Sequence, residues 1–316
     1  MATASTSLPL GKVLASTDKK TRDKAIKNLS AFLSQSGENA ISKPDMDKLW
    51  KGIFYCFWMS DKPLVQQGLA SELAELLLTI PSNNESIAFL RGFWETIVRE
   101  WNGIDRLRID KYYMLVRRFV NASFRLLQRA KWDKSIIEQY TEILNKAGGP
   151  LCPVDIKVPT SLSYHLADIY LEELEKVQRK ATEADKLHPI PLLLILEPFF
   201  TLSAQTTSKL TFKRVESSLW RPLFVSLSSQ SDEQDEEDDG RPRKRARLDD
   251  DDLSAVIANS CLRDPSSEKP LSREDLRKQL RRALFDVASR PETRDSSRRQ
   301  LYVLYKDEEG ESDDDD

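Results

Sequence analysis

From Lys48 to Ile80 the chain reads KLWKGIFYCFWMSDKPLVQQGLASELAELLLTI, and Ile53 to Met59 is an unbroken apolar run. Alone, such a run fits a buried strand, but its flanks fit a helix. Pro44 stands in a first-turn position, and Met46, Trp50, Ile53 and Phe57 recur at helical spacing. A helix that is apolar nearly all round is a buried one, so this arm is expected to need protein on every side. Asp61 and Pro63 restart the chain, an acceptor side chain ahead of a first-turn proline. Val65, Leu69, Leu73, Leu76 and Ile80 then form one stripe of a second helix. The stretch predicts a tightly packed helical pair that neighbouring helices must cover.

The same periodicity places a helix over 17–35, with Ala25, Ile26, Leu29, Phe32 and Leu33 inward. Asn83 or Asn84 is expected to cap another, with Ile87, Leu90, Phe93 or Trp94, Ile97 and Trp101. After a break at Asn102–Gly103 come helices over 109–130 and 133–146, stopped by Gly148, Gly149 and Pro150. The proline-marked loop LCPVDIKVP leads to helices over 160–179, 189–203 (kinked at Pro198) and 209–227. Helices joined by short loops, without alternating strands, argue an all-α domain. Stacked antiparallel pairs suggest a HEAT-like stack, although no clean internal repeat is present.

After Leu227 the pattern fails. Residues 228–239 read SSQSDEQDEEDD, RPRKRAR occupies 241–247, and Asp249 to Asp252 follow. This is the composition of a disordered charged C-terminal tail. Within it, Ser272 to Asp275 resembles a capping box with Asp where Glu or Gln is preferred. The helix that follows carries Leu276, Leu280, Ala283, Leu284 and Val287 on one face and Arg277, Lys278, Arg281 and Arg282 elsewhere. The expected organisation is a flexible 1–16, a helical domain over 17–227, a disordered acidic and basic linker over 228–270, an amphipathic helical segment over 271–305 and an acidic tail over 306–316.

Composition sharpens that division. The 316 residues include 48 Lys and Arg against 51 Asp and Glu, a near balance that hides two halves. Residues 1–227 carry 31 basic and 25 acidic side chains; residues 228–316 carry 17 and 26. All six Trp and 11 of the 12 Phe lie in the first part, which can bury a core where the second mostly cannot. Only 10 Gly is few for a nucleotide-binding α/β enzyme. Cys56, Cys152 and Cys261 make no disulfide framework and no metal spacing, usage that suits a reducing compartment. The first ten residues lack the features of a signal peptide. The apolar stretch 190–202 is interrupted by Glu197 and Pro198 and is too short to span a bilayer. A soluble intracellular protein without a membrane segment is expected.

The helix over 109–130 holds the strongest candidate site. At about 100° per residue, Lys111, Arg118, Arg125 and Arg129 fall in a narrow stripe beside the apolar stripe Tyr112, Leu115, Phe119 and Leu126. Arg117 adds charge beyond it. A cationic ridge suits phosphate contacts along structured RNA; a solvated face with local ion pairs and an acidic partner protein are the competing readings. Arg241, Arg243, Lys244, Arg245 and Arg247 suit a nuclear import signal read by an import receptor, or a nonspecific nucleic-acid patch. Ser229 with Asp232, and Ser312 with Asp315, have the spacing of acid-directed kinase sites. Leu276, Leu280, Leu284 and Val287 could dock in a partner groove or pack back on the parent domain. Catalysis finds little support. His165 and His188 are the only histidines, and no GxGxxG, P-loop, HExxH or CxxC pattern occurs. No catalytic residue, metal, cofactor or small-molecule substrate is expected, with an unrecognised helical enzyme as the remote reading.

Four stretches in order, KLWKGIFYCFWMSDKPLVQQ, RIDKYYMLVRRFV, VPTSLSYHLADIYLEEL and PLLLILEPFF, resemble the eukaryotic nucleolar ribosomal RNA processing protein 1 family over residues 8–227. The resemblance implies a non-enzymatic assembly factor of the pre-60S particle. Such a factor acts in the nucleus and nucleolus, supports processing of pre-rRNA spacers and binds other assembly factors. It implies no catalytic residues. The alternative is a nuclear protein–protein adaptor without direct RNA contact. Some members carry long basic C-terminal extensions, whereas this chain's tail is short and mostly acidic, so functions tied to such extensions are not carried over. Thr160 and Ser161 stand where a glycine-containing turn is expected after the proline.

Overall fold

The computed structural model describes residues 10–35, 41–228 and 253–307. It divides into two compact units, residues 1–166 and 167–316. The described residues form an all-α stack whose extended structure is a single two-residue parallel bridge. Among them no helix is long and apolar enough to cross a membrane.

In the first unit, α1 (Leu10–Leu14) and α2 (Lys19–Ser34) precede the central pair α3 (Lys43–Trp58) and α4 (Pro63–Thr79). The starts follow capping chemistry. Asp18 accepts the Thr21 amide at 2.8 Å, and Ser42 caps α3 with Pro44 in its first turn. α4 differs from expectation: its N-cap is Lys62, which makes no side-chain cap bond, so Pro63 alone marks the start. Ser82, not an asparagine, caps α5 (Asn83–Glu100). A 3₁₀ turn (Trp101–Gly103) leads to α6 (Ile109–Arg129) and α7 (Lys134–Asn145).

Trp50 of α3 sets the core of this unit. Its indole N–H donates to the Phe89 carbonyl at 3.0 Å, and its rings lie 4.6–5.7 Å from those of Phe89, Phe93 and Phe119. Phe93 and Phe119 stack at 3.8 Å. α5 can come this close because Gly92 faces the indole, where a Cβ would lie 2.2 Å from a ring carbon. Gly52 serves α1 in the same way, since its Cβ would stand 2.6 Å from the Gly11 carbonyl oxygen. Cys56 is fully buried and burial pushes its thiol up to about 11, so it is an inert core thiol. The apolar run is not covered on every side, however. Tyr55 and Met59 are exposed and Trp58 is half-buried with the Arg108 guanidinium 4.8 Å above its ring. A cation over the indole face takes the place of covering helix there.

α8 (Thr160–Arg179) begins at the end of the first unit. The second unit continues with α9 (Glu183–Lys186), β1 (Ile190–Pro191), α10 (Leu192–Gln205), α11 (Lys209–Val215) and α12 (Arg221–Ser228). Pro198 sits inside α10. The single helix expected over 209–227 is interrupted by a π-helical turn (Glu216–Trp220), where Trp220 turns inward to give its indole N–H to Ser203 at 3.1 Å. The chain then returns as α13 (Ser254–Ala258), β2 (Ser260–Cys261), α14 (Arg273–Ser289) and α15 (Asp295–Asp307).

That return corrects the expected linker: residues 253–270 are folded. β2 pairs with β1, Ile190 with Ser260 and Pro191 with Cys261. The buried Glu175 carboxylate accepts the Ala255 and Val256 amides at 3.1 and 2.9 Å, meeting orphan donors at the start of α13. Glu268 accepts three successive amides, Leu262, Arg263 and Asp264. Two inward carboxylates thus tie down a segment whose composition reads as loop.

Gly92→Ala is expected to lower unfolding stability by about 1–3 kcal/mol through overpacking against Trp50. Gly68→Ala in α4, where a Cβ meets nothing within 4 Å, is expected to raise it by about 0.4–1 kcal/mol. Urea titrations of the two variants check both signs; a harmless Gly92→Ala would mean that α5 does not depend on that approach.

Candidate nucleic-acid interface

The cationic stripe of α6 exists as a stripe but does not form an open ridge. Lys111 is buried, 6% exposed, and its ammonium donates to the Trp58 and Ser60 carbonyls at 2.8 and 2.7 Å. Those oxygens lie at the end of α3, where helix carbonyls lack partners and the dipole favours a cation. Burial draws the Lys111 amine down to about 8, and the neighbouring Arg108 charge adds to this. Arg129 does the same for the end of α4. It donates to the Leu78 carbonyl at 2.9 Å, to Asn83 Oδ1 at 3.0 and 3.2 Å and to Ser86 Oγ at 3.0 Å. Between them Arg125 forms a two-point ion pair with Glu75 of α4.

The expected use of Lys111 as a phosphate contact is therefore corrected: its charge is enclosed by the fold. Arg125 and Arg129 also face α4 rather than solvent partners. Arg117 is half-buried; Arg118 and Arg129 are the exposed members of the five, and Arg129 holds its guanidinium against Leu78, Asn83 and Ser86. What gives the stripe its meaning is the pair of helix ends, of α3 and α4, that it meets, which no one-helix projection displays.

The C-terminal amphipathic helix also departs from one of its two readings. Leu276, Leu280, Leu284 and Val287 are all buried within the second unit, where α14 packs against α10, α12, α13 and α15. Docking of this face in a partner groove is corrected in favour of packing on the parent fold. Ser272 caps α14, accepting the Asp275 amide at 3.1 Å. α15 falls largely within the amphipathic segment expected over 271–305; its Arg299, Tyr302 and Lys306 repeat at helical spacing, and the Tyr302 ring lies 5.5 Å from that of Phe285 of α14.

His165 lies against Tyr113, its Nε2 3.0 Å from that residue's carbonyl oxygen and its ring 4.6 Å from the phenol ring. It is a structural residue. Ser161, where a glycine turn was expected, accepts the Trp101 indole N–H at 3.0 Å. Among the described residues no group of three or more His, Cys, Asp or Glu could hold a metal ion. Arg241, Arg243, Lys244, Arg245 and Arg247, and the pairs Ser229–Asp232 and Ser312–Asp315, lie outside the described residues.

The family model described as Nucleolar protein, Nop52 matches residues 5–304. The chain belongs to the Nop52 family. Ribosomal RNA processing protein 1 homolog B of Homo sapiens is 36% identical over 77% of this chain and 30% of that protein. Homolog A of Homo sapiens is 29% identical over 95% of this chain and 69% of that protein. The Drosophila melanogaster homolog is 31% identical over 63% of the chain and 28% of its own length. The chain thus spans about a third or less of the homolog B proteins it matches, 30% and 26% for human and mouse. The Nop52 match runs through both compact units, so α13 to α15 belong to the family fold and are not an appendage. Nop52 is a nucleolar family, and neither its description nor the relatives' names carries a catalytic activity.

Lys111→Met is expected to destabilise the fold by about 1–3 kcal/mol by stranding two buried carbonyls, whereas Arg118→Gln should stay within about 0.5 kcal/mol of the parent. A ¹³Cε titration of Lys111 should show a midpoint at about 8; a midpoint at the ordinary 10.5 would place the amine in solvent. Leu280→Ala is expected to cost about 2–5 kcal/mol in a thermal or urea melt. No change would mean that α14 is not packed on the second unit.

Proposed function

We propose that this chain is a non-enzymatic assembly factor of the large-subunit preribosome, holding pre-rRNA and other assembly factors on a helical scaffold in the nucleolus. The observation that carries the reading is the Nop52 match over residues 5–304, together with relatives named for ribosomal RNA processing. The fold is consistent with holding rather than turnover. Lys111 and Arg129 of α6 serve helix ends, and His165 packs on Tyr113. Arg241, Arg243, Lys244, Arg245 and Arg247 would deliver the chain to the nucleus through an import receptor. The reading as a protein–protein adaptor without RNA contact draws support from one observation: Lys111, Arg125 and Arg129 are engaged within the fold.

The test combines particle sedimentation with RNA crosslinking of the tagged full chain in cells. The expected outcome is co-sedimentation with large-subunit precursors, crosslinks to their pre-rRNA, and accumulation of spacer-containing pre-rRNA on depletion. Co-sedimentation without crosslinks would establish the adaptor instead, and absence from the particles would sink both readings. Glutamine at the five basic positions of 241–247 is expected to shift the chain to the cytoplasm.

A further inference from the structure

We infer that the outer face of the α14–α15 hairpin is a binding surface for single-stranded RNA, with Phe285 as the platform for an unpaired base. The inference rests on the reading of the protein as a factor that holds pre-rRNA, and it names the face and the form of RNA that reading leaves open.

At 100° per residue, Lys278, Arg281, Arg282 and Phe285 share one face of α14, opposite the buried Leu276, Leu280, Leu284 and Val287. On α15, Arg299, Tyr302, Tyr305 and Lys306 share the adjoining face, opposite the buried Leu301 and Leu304. The two faces meet. Phe285 lies 5.5 Å from both Tyr302 and Tyr305, and the Arg281 guanidinium sits 5.1 Å above the Tyr305 ring. The Tyr302 hydroxyl stands 3.2 Å from Ser289 Oγ, which fixes the ring. A phenylalanine flanked by two tyrosines is nonetheless 43% exposed. Around it Lys278, Arg282, Arg299 and Lys306 are exposed.

Five cations share this face, Lys278, Arg281, Arg282, Arg299 and Lys306, against Glu274 and Asp295 near its ends. Asp295 is 3.6 Å from Arg298, and Asp307 is 3.2 Å from Arg221 of α12. Arg298 itself is turned inward to the Ala288, Arg290 and Thr293 carbonyls. Glu274 shares the face at the far end of α14, and Asp275 and Asp286 lie at its flank.

Exposed cations around an exposed ring are the two parts that single-stranded nucleic acid requires: charge for the backbone and a π-face for a base. Duplex RNA keeps its bases stacked on each other and would use the charge but not the ring. An acidic peptide would likewise leave Phe285 without a role.

The test is fluorescence anisotropy of a labelled, unstructured twelve-nucleotide RNA with the full chain, across a salt series. Replacing Lys278, Arg282, Arg299 and Lys306 together by Gln is expected to weaken binding more than tenfold. It should also reduce the log–log salt slope by about 3, near 0.7 per lost phosphate contact. Phe285→Ala is expected to weaken binding about tenfold with the slope unchanged, and Phe285→Tyr to restore it. Circular dichroism melts confirm that these surface variants stay folded. Failure of the parent chain to bind the RNA would overturn the proposal. So would unchanged binding by the fourfold variant, loss of binding in Phe285→Tyr, equal affinity for a duplex of the same sequence, or preference for a polyglutamate peptide. Sedimentation separates this from the wider reading: a chain that still enters large-subunit precursors but binds RNA independently of the hairpin refutes only the hairpin.

Discussion

The first unit depends on how closely α5 can approach the Trp50 indole. A tryptophan ring is large and flat and carries one donor, so burying it requires both a partner for the N–H and a neighbour without a side chain in the way. The Phe89 carbonyl supplies the first and Gly92 the second. Because Phe89, Gly92 and Phe93 lie within one turn of α5, the same contact fixes the rotation of that helix and presents Phe93 for stacking on Phe119 of α6. Helix register, ring stacking and the position of α6 follow from one indole.

α6 shows how charge can be structural without being part of an ion-pair network. Its cations complete neighbouring helices, with Lys111 at the end of α3 and Arg129 at the end of α4. A helix that ends against a packed interior cannot leave its last carbonyls to water, and a long cationic side chain reaching across from a neighbour is an effective substitute for a glycine cap. α3 and α4 both lack a left-handed glycine at their ends, and in both cases α6 supplies the missing donor.

Most helices were legible from periodicity, since the apolar spacing that marks 19–34, 109–129 and 160–179 is also what buries them. The misreadings share a cause. The apolar run Ile53–Met59 implied cover on all sides because hydropathy cannot see that Arg108 would lie over Trp58. Residues 253–270 read as linker because the groups that hold them, Glu175 and Glu268, are carboxylates whose inward role depends on amides they face only after folding. The stripe on α6 was visible, but its meaning lay in the α3 and α4 ends, some fifty residues away in sequence. Capping boxes and helical stripes are local facts; the destination of a long charged side chain is not.

The pairing of β1 with β2, and the hold of Glu175 on α13, have a topological consequence. Ser228 and Leu253, the described residues on either side of the basic cluster, both belong to the second unit. A single backbone break there would leave α14 and α15 seated by their buried leucines, the two pieces behaving as a noncovalent whole. What composition presents as a helix at the far end of a tether is, from Leu253 onward, part of the body of the second unit.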